Sequence, residues 1–260
     1  MDKKINLFLD SGAFSAWSKG VSIDIDEYIA FIKEHEEYIS VYAVLDSIGD
    51  PEKTLENQKY MESKGLSPLP CFHYGEDLKY LKHYIDNYDY IALGGMVPIS
   101  TKDLMVWLDD LFLHHICDSS GAPKVKVHGF GLTAIPLLVR YPWYSVDSTS
   151  WVMTGRFGGV LVPKKKMGKY TYTEIPHKVN ISDKSSKKDD EGQHFNTFSV
   201  LEQKMILDYF KEKGYTPEEL SSDYKKRDEI NIIYFIDLQN NLPKWPWNFK
   251  LKKATSLGLI

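Results

Sequence analysis

The sequence predicts an α/β chain: a (β/α)8 TIM-type barrel forming a single domain with irregular C-terminal additions. Short apolar runs alternate with segments of helical period, the loops between them are short, and three of the runs end in an aspartate. Strands alternating with helices over short loops imply βαβ units and a parallel sheet. Six such units in roughly 150 residues suit an eight-fold barrel better than a five-strand open sheet.

Taken in order, Asn6 to Leu9 is an uncharged apolar run that stops at Asp10-Ser11-Gly12, so a carboxylate stands at a strand's carboxyl end. Ile23 to Tyr38 has helical spacing with acidic residues near its start, where the positive end of a helix favours them. A second strand, Ser40 to Leu45, ends at Asp46. Asp50 and Pro51 then open a helix to Lys64, as N-cap and first helical residue, with Gly65 as its stop. Leu69 to Tyr74 is the third strand, Asp77 to Asn87 a helix, and Tyr88 to Leu93 a fourth strand ending at Gly94-Gly95. Ser100 to Asp118 reads as a longer helix, Lys124 to Phe130 as the fifth strand, Ala134 to Arg140 as a short helix and Trp143 to Val146 as the sixth strand, ending at Asp147.

Beyond Asp147, Gly158 to Pro163 is a seventh-strand candidate and Lys169 to Pro176 alternates like an exposed strand. Ile181 to Gly192 is a polar loop expected to be mobile. Phe198 to Gly214 and Thr216 to Lys226 read as helices, Ile230 to Leu238 as an eighth strand, and Pro243 to Phe249 as an irregular aromatic cover.

At 260 residues, 43% hydrophobic and 26% charged, the composition is that of an ordinary globular protein with a sizeable core. No run approaches the roughly 18 to 20 apolar residues of a membrane span, and MDKKINLF lacks a signal-peptide core, so a cytoplasmic protein without membrane contact is expected. Cys71 and Cys117 lie far apart, which argues against a disulfide framework or a cysteine-rich zinc site. With a formal net charge of −4, any nucleic acid must be held by a local basic patch. Lys164, Lys165, Lys166 and Lys169 are the first candidates for phosphate contacts, with Lys184, Lys187 and Lys188 in the polar loop.

Three strand-end carboxylates on one barrel face permit nucleophilic and acid–base chemistry together. A carboxylate nucleophile attacks an sp³ carbon with a good leaving group, typically the anomeric carbon of a sugar, while a second carboxyl group moves the proton. A third could read donors on a flat heterocycle. For several of these residues alone a bland role competes: Asp10 as a turn former, His73 as a packed histidine, Gly94-Gly95 as a tight turn; in HGFG, Gly131 can end a strand while His128 or Phe130 could pack over a base. Trp143, Trp151, Trp245 and Trp247 could support extruded bases or simply pack.

The segments DSGAF (10–14), VLDS (44–47), FHYG (72–75), ALGG (92–95), HGFG (128–131) and SVDS (145–148) together resemble the tRNA-guanine transglycosylase superfamily. That family has DSGGF or DSGGY, a DE segment after the second strand, VQGG, IGG, MGVG and a later nucleophilic aspartate, in the same order. The resemblance implies Asp147 as nucleophile and Asp10 as general acid/base. It implies Asp46, His73 and the Gly94-Gly95 backbone at the base edge, with Phe14 and His128 on the two faces of the base. His73 stands where the family has Gln, and His128 where it has Met. The tRNA enzymes' zinc cluster of three cysteines and a histidine has no counterpart, so neither a metal nor a cofactor is expected. The chain is most similar to the compact, zinc-free, phage-type branch that acts on DNA. The implied partners are DNA, with tRNA as the alternative, and a free 7-deazaguanine base of the preQ0 type. A duplex guanine would have to flip out of the stack to be exchanged. A retaining glycoside or nucleoside hydrolase on the same scaffold, and a non-catalytic nucleic-acid-binding barrel, are the competing classes.

Overall fold

The computed structural model describes residues 6–132, 134–186 and 191–251, so Lys187 and Lys188 lie outside the described residues. The fold is mixed α/β, 44% helix and 17% strand, with a parallel sheet. Two compact units make it up: Met1–Gly131 with Pro142–Val146 and Pro246–Ile260, and Leu132–Tyr141 with Asp147–Trp245.

In the first unit the chain runs β1 (Leu7–Leu9), α1 (Ala13–Ser18), α2 (Ile25–Glu34), β2 (Ile39–Tyr42), α3 (Pro51–Ser63), β3 (Cys71–His73), α4 (Leu78–Asn87), β4 (Tyr90–Gly94), α5 (Thr101–Leu111), β5 (Lys126–Gly129) and finally β6 (Ser145–Val146). Helix starts follow cap chemistry: the side chains of Asp24, Asp50, Asp77 and Ser100 each accept hydrogen bonds from backbone N–H groups of the first turn. The helix predicted to run to Asp118 is α only to Leu111; Phe112–Ile116 is a π-helical turn.

β1 pairs in parallel with β2, and β3 to β6 form a parallel sheet in chain order. A parallel bridge between Ala43 and Leu69 links the two sets, with the Leu69 N–H donating to the Tyr42 carbonyl at 2.8 Å. Every parallel neighbour pair is therefore consecutive in sequence. A core including Tyr28, Ile32, Val44, Met61, Leu69 and Ala92 packs about these strands, with Phe8, Leu9 and Phe130 against it. The returning residues 246–251 dock Phe249 on this unit: its N–H donates to the Gly121 carbonyl at 2.7 Å, and its ring lies 5.9 Å from that of Phe112.

The second unit holds α6 (Ile135–Leu138), α7 (Ser150–Arg156), β7 (Gly159–Val162), β8 (Lys164–Lys166), β9 (Lys169–Thr171), β10 (His177–Asn180), α8 (Val200–Lys213), α9 (Pro217–Ser222) and α10 (Tyr224–Asn241). Two sequence expectations are corrected here. The seventh strand exists, but β7 pairs antiparallel with β10 instead of extending the parallel sheet. Ile230 to Leu238 is not a strand: it lies within α10, burying Ile230, Tyr234 and Leu238 at four-residue spacing while Ile232 and Ile236 stay exposed. Its β-branched run carries strand propensity, but packing of one helical face decides.

α10 is fastened to its neighbours by buried polar side chains. Asn231 accepts from the Leu161 N–H at 2.8 Å and donates to the carbonyls of Trp151 and Gly159. Arg227 donates to the carbonyls of Gly155 and Leu220 at 2.8 and 2.6 Å. No helix of the described residues is long and apolar enough to cross a membrane.

Candidate functional site

The end of β1 sets the first carboxylate. Asp10 follows Leu9 directly, and Gly12, at φ 73, turns the chain into α1 while the Ser11 hydroxyl accepts from the Ala13 N–H. A left-handed φ is costly for any residue with a Cβ, which accounts for glycine here. The turn leaves Phe14 54% exposed, with the Trp17 ring 6.0 Å away on the same short helix.

The second carboxylate comes after β2. Ala43, Val44 and Leu45 are buried, and the Asp46 side chain behind them is 10% exposed. Its Oδ1 is buried without a hydrogen-bond partner, an unusual state for a carboxylate oxygen. Tyr28 reports on both carboxylates. Its hydroxyl donates to the Ala43 carbonyl at 2.9 Å, and burial, then the charges of Asp10 and Asp46, push its ionisation well above the usual tyrosine range. Asp10 follows β1 and Asp46 follows β2, the strand paired with it.

β3 contributes a cluster that the sequence assigns only in part. Cys71 and His73, two residues apart, share one side of the strand. His73 Nε2 lies 3.5 Å from Asp46 Oδ2 and 3.6 Å from Cys71 Sγ. On its other side, Nδ1 is 3.1 Å from Glu76 Oε1, and Glu76 Oε2 accepts from the His73 N–H at 3.0 Å. Burial opposes a charge on His73, but the adjacent Asp46 and Glu76 carboxylates favour its imidazolium and raise it above the ordinary histidine range. Burial also pushes the Cys71 thiol up to about 12.

The two glycines at the end of β4 are explained by this cluster. His73 pairs with Gly94 in the ladder, and a Cβ at Gly94 would stand 2.8 Å from His73 Cδ2 and 2.9 Å from Cys71 Sγ. Gly95, at φ 67, would bring a Cβ to 3.1 Å from the Tyr74 nitrogen. The glycine pair therefore makes room for Cys71 and His73.

His128 is 1% exposed: its ring stacks on Phe8 at 4.3 Å, Phe130 meets it edge-on, and its Nδ1 is 2.7 Å from Ser145 Oγ. It is a packing residue of the sheet and presents no open ring face to a planar ligand. Asp147 is the exposed residue directly after β6 and belongs to the second unit.

The basic candidates sort by structure. Lys164, Lys165, Lys166 and Lys169 lie on the β8–β9 hairpin, which turns at Met167 and Gly168, both with positive φ. Lys166 pairs with Glu174, and Lys165 lies over the Tyr170 ring. Lys184 is exposed near the next described loop. Trp143 packs edge-on against Phe112 at 5.3 Å, and Trp151 lies on α7 with its carbonyl taken by Asn231. Trp245 and Trp247 are half-buried in the irregular tail.

Sequence reasoning missed Cys71, Glu76 and Tyr28. The signals were present: Cys71-x-His73 on a strand, and His73-x-x-Glu76 across the turn that follows. No protein-family model matches the chain, and no curated protein matches it.

Proposed function

We propose that this chain is a guanine transglycosylase that replaces guanine in DNA with a 7-deazaguanine base, built on a (β/α)8-type barrel. The observation that carries the reading is the pair Asp10 and Asp46, set after the neighbouring parallel strands β1 and β2, with Phe14 exposed on the helix after Asp10. The ordered segments that resemble the transglycosylase superfamily give these residues their roles.

In this mechanism the Asp147 carboxylate attacks C1′ of the target nucleotide as the bond from C1′ to guanine breaks. Asp10 delivers the proton that guanine carries away. The sugar then waits as an ester of Asp147. Asp10 takes a proton from the incoming deazapurine, whose nitrogen attacks C1′ and frees the Asp147 carboxylate, so two inversions give net retention. Asp46 accepts hydrogen bonds from the donor edge of the base, and Phe14 stacks on it. The lysines of the β8–β9 hairpin contact phosphates.

The test is exchange of labelled guanine into DNA and into tRNA by purified protein, with mass spectrometry of nucleosides from cells that express it. Exchange into DNA that Asp147→Asn abolishes, with DNA affinity retained, is the expected result. Exchange into tRNA alone would move the substrate to RNA, and release of free base without replacement would make the chain a hydrolase. Undiminished exchange by Asp147→Asn would remove the nucleophile assignment.

A further inference from the structure

We propose that Asp46, Cys71 and His73 form a binding site for a single zinc ion, with Glu76 orienting the histidine. The three side chains offer a carboxylate oxygen, a thiolate sulfur and an imidazole nitrogen, all within 4.8 Å of one another. Zinc bonds to sulfur at about 2.3 Å and to nitrogen or oxygen at about 2.0–2.2 Å. At tetrahedral angles those lengths set sulfur and nitrogen about 3.6 Å apart, and nitrogen and oxygen about 3.4 Å apart. The observed separations are 3.6 Å from Cys71 Sγ to His73 Nε2 and 3.5 Å from His73 Nε2 to Asp46 Oδ2. Two edges of the tetrahedron are already in place.

Three further observations point the same way. Asp46 Oδ1 is buried with no hydrogen-bond partner, on a side chain only 10% exposed, so one carboxylate oxygen is left unsatisfied while the other, Oδ2, faces His73 Nε2. Glu76 Oε1 holds Nδ1 of His73 at 3.1 Å, the outer partner that metal-bound histidines usually have, which leaves Nε2 directed at Asp46 and Cys71. Gly94 offers no side chain where one would displace Cys71 Sγ and His73. The mixed thiolate, imidazole and carboxylate set favours zinc over magnesium or calcium, which prefer all-oxygen shells. With three protein ligands, the fourth position is open to water or to a ligand atom. On binding, Cys71 gives up its thiol proton to solvent, as does His73 when charged, so uptake releases protons.

The test uses the full chain, stripped by a chelator and titrated with Zn²⁺ against a chromophoric competitor, then with Co²⁺ as a spectroscopic probe. One equivalent is expected to bind, and Co²⁺ should give a thiolate-to-metal charge-transfer band. Cys71→Ser should lose the band, Cys117→Ser should keep it, and Glu76→Gln should weaken affinity by about 10–100-fold. No uptake by the folded wild-type chain, or a band that survives Cys71→Ser, would overturn the site and leave His73 as an imidazolium clamped between Asp46 and Glu76. Because metal uptake is read without any nucleic acid, its failure and a failure of base exchange are separate results.

Discussion

Gly94→Ala probes the packing of β4 on the Cys71–His73 pair. Its backbone is outside the left-handed region, so alanine would ordinarily stabilise by about 0.4–1 kcal/mol through the unfolded chain. Against this, the new methyl would meet His73 Cδ2 at 2.8 Å and Cys71 Sγ at 2.9 Å, both on a strand with little room to move. Overpacking of this kind costs about 1–3 kcal/mol, so the net expectation is a loss of about 1–2 kcal/mol. Urea unfolding followed by circular dichroism measures it as a lowered midpoint at unchanged slope. The cause is isolated by repeating the substitution in a His73→Ala background. There the closest obstacle is gone, and the penalty should fall by about 1 kcal/mol. A neutral or stabilising Gly94→Ala, or strict additivity with His73→Ala, would refute the steric account of the glycine.

Asn231→Ala removes a buried amide, leaving the Leu161 N–H without its acceptor and the Trp151 and Gly159 carbonyls without its donor, so a loss of about 2–4 kcal/mol is expected in the same unfolding assay. Ser199→Ala removes one half of the reciprocal cap with Glu202 at the start of α8 and should cost about 1 kcal/mol, measured by thermal unfolding. In metal-free protein, burial holds the Cys71 and Cys117 thiols up at about 12 and about 11. Both should therefore alkylate slowly at neutral pH and faster as pH rises, and labelling as rapid as in denaturant, read by mass spectrometry, would contradict this. Replacing Lys164, Lys165 and Lys169 with alanine should reduce the salt dependence of DNA binding by about 0.9 in log–log slope for each phosphate that the hairpin no longer neutralises. Titrations at several salt concentrations measure it, and an unchanged slope would exclude the hairpin from the interface.

Local chemistry makes much of the first unit legible. Asp50-Pro51 and Gly65 bracket α3 because cap, first-turn proline and left-handed stop each act within a few residues. The strand end at Asp10 is equally readable, since an apolar run broken by Asp-Ser-Gly has few alternatives, whereas β2 stops at Tyr42, short of the expected Leu45. Ile230 to Leu238 misleads because strand and helix compete evenly for a short β-branched run, and the deciding partners, β7 and α7, sit some 70 residues earlier. His128 misleads differently. The resemblance puts it on one face of the base, but it lies within β5, where Phe8 and Ser145, distant in sequence, take up the ring face and the Nδ1. Weighing Cys71 against Cys117 considers only the two cysteines, whereas the side chains beside Cys71 are His73 on the same strand and Asp46 after β2.

The interrupted course of the first unit has a practical consequence for anyone dividing the gene. A fragment ending at Gly131 would discard Ser145 and Val146, stranding β5 as a raw sheet margin and depriving His128 of its hydroxyl neighbour. It would also lose Phe249 from its seat over Phe112 and Gly121. Such a truncation should be insoluble, whereas splicing 142–146 and 246–251 back through short linkers should restore a foldable piece.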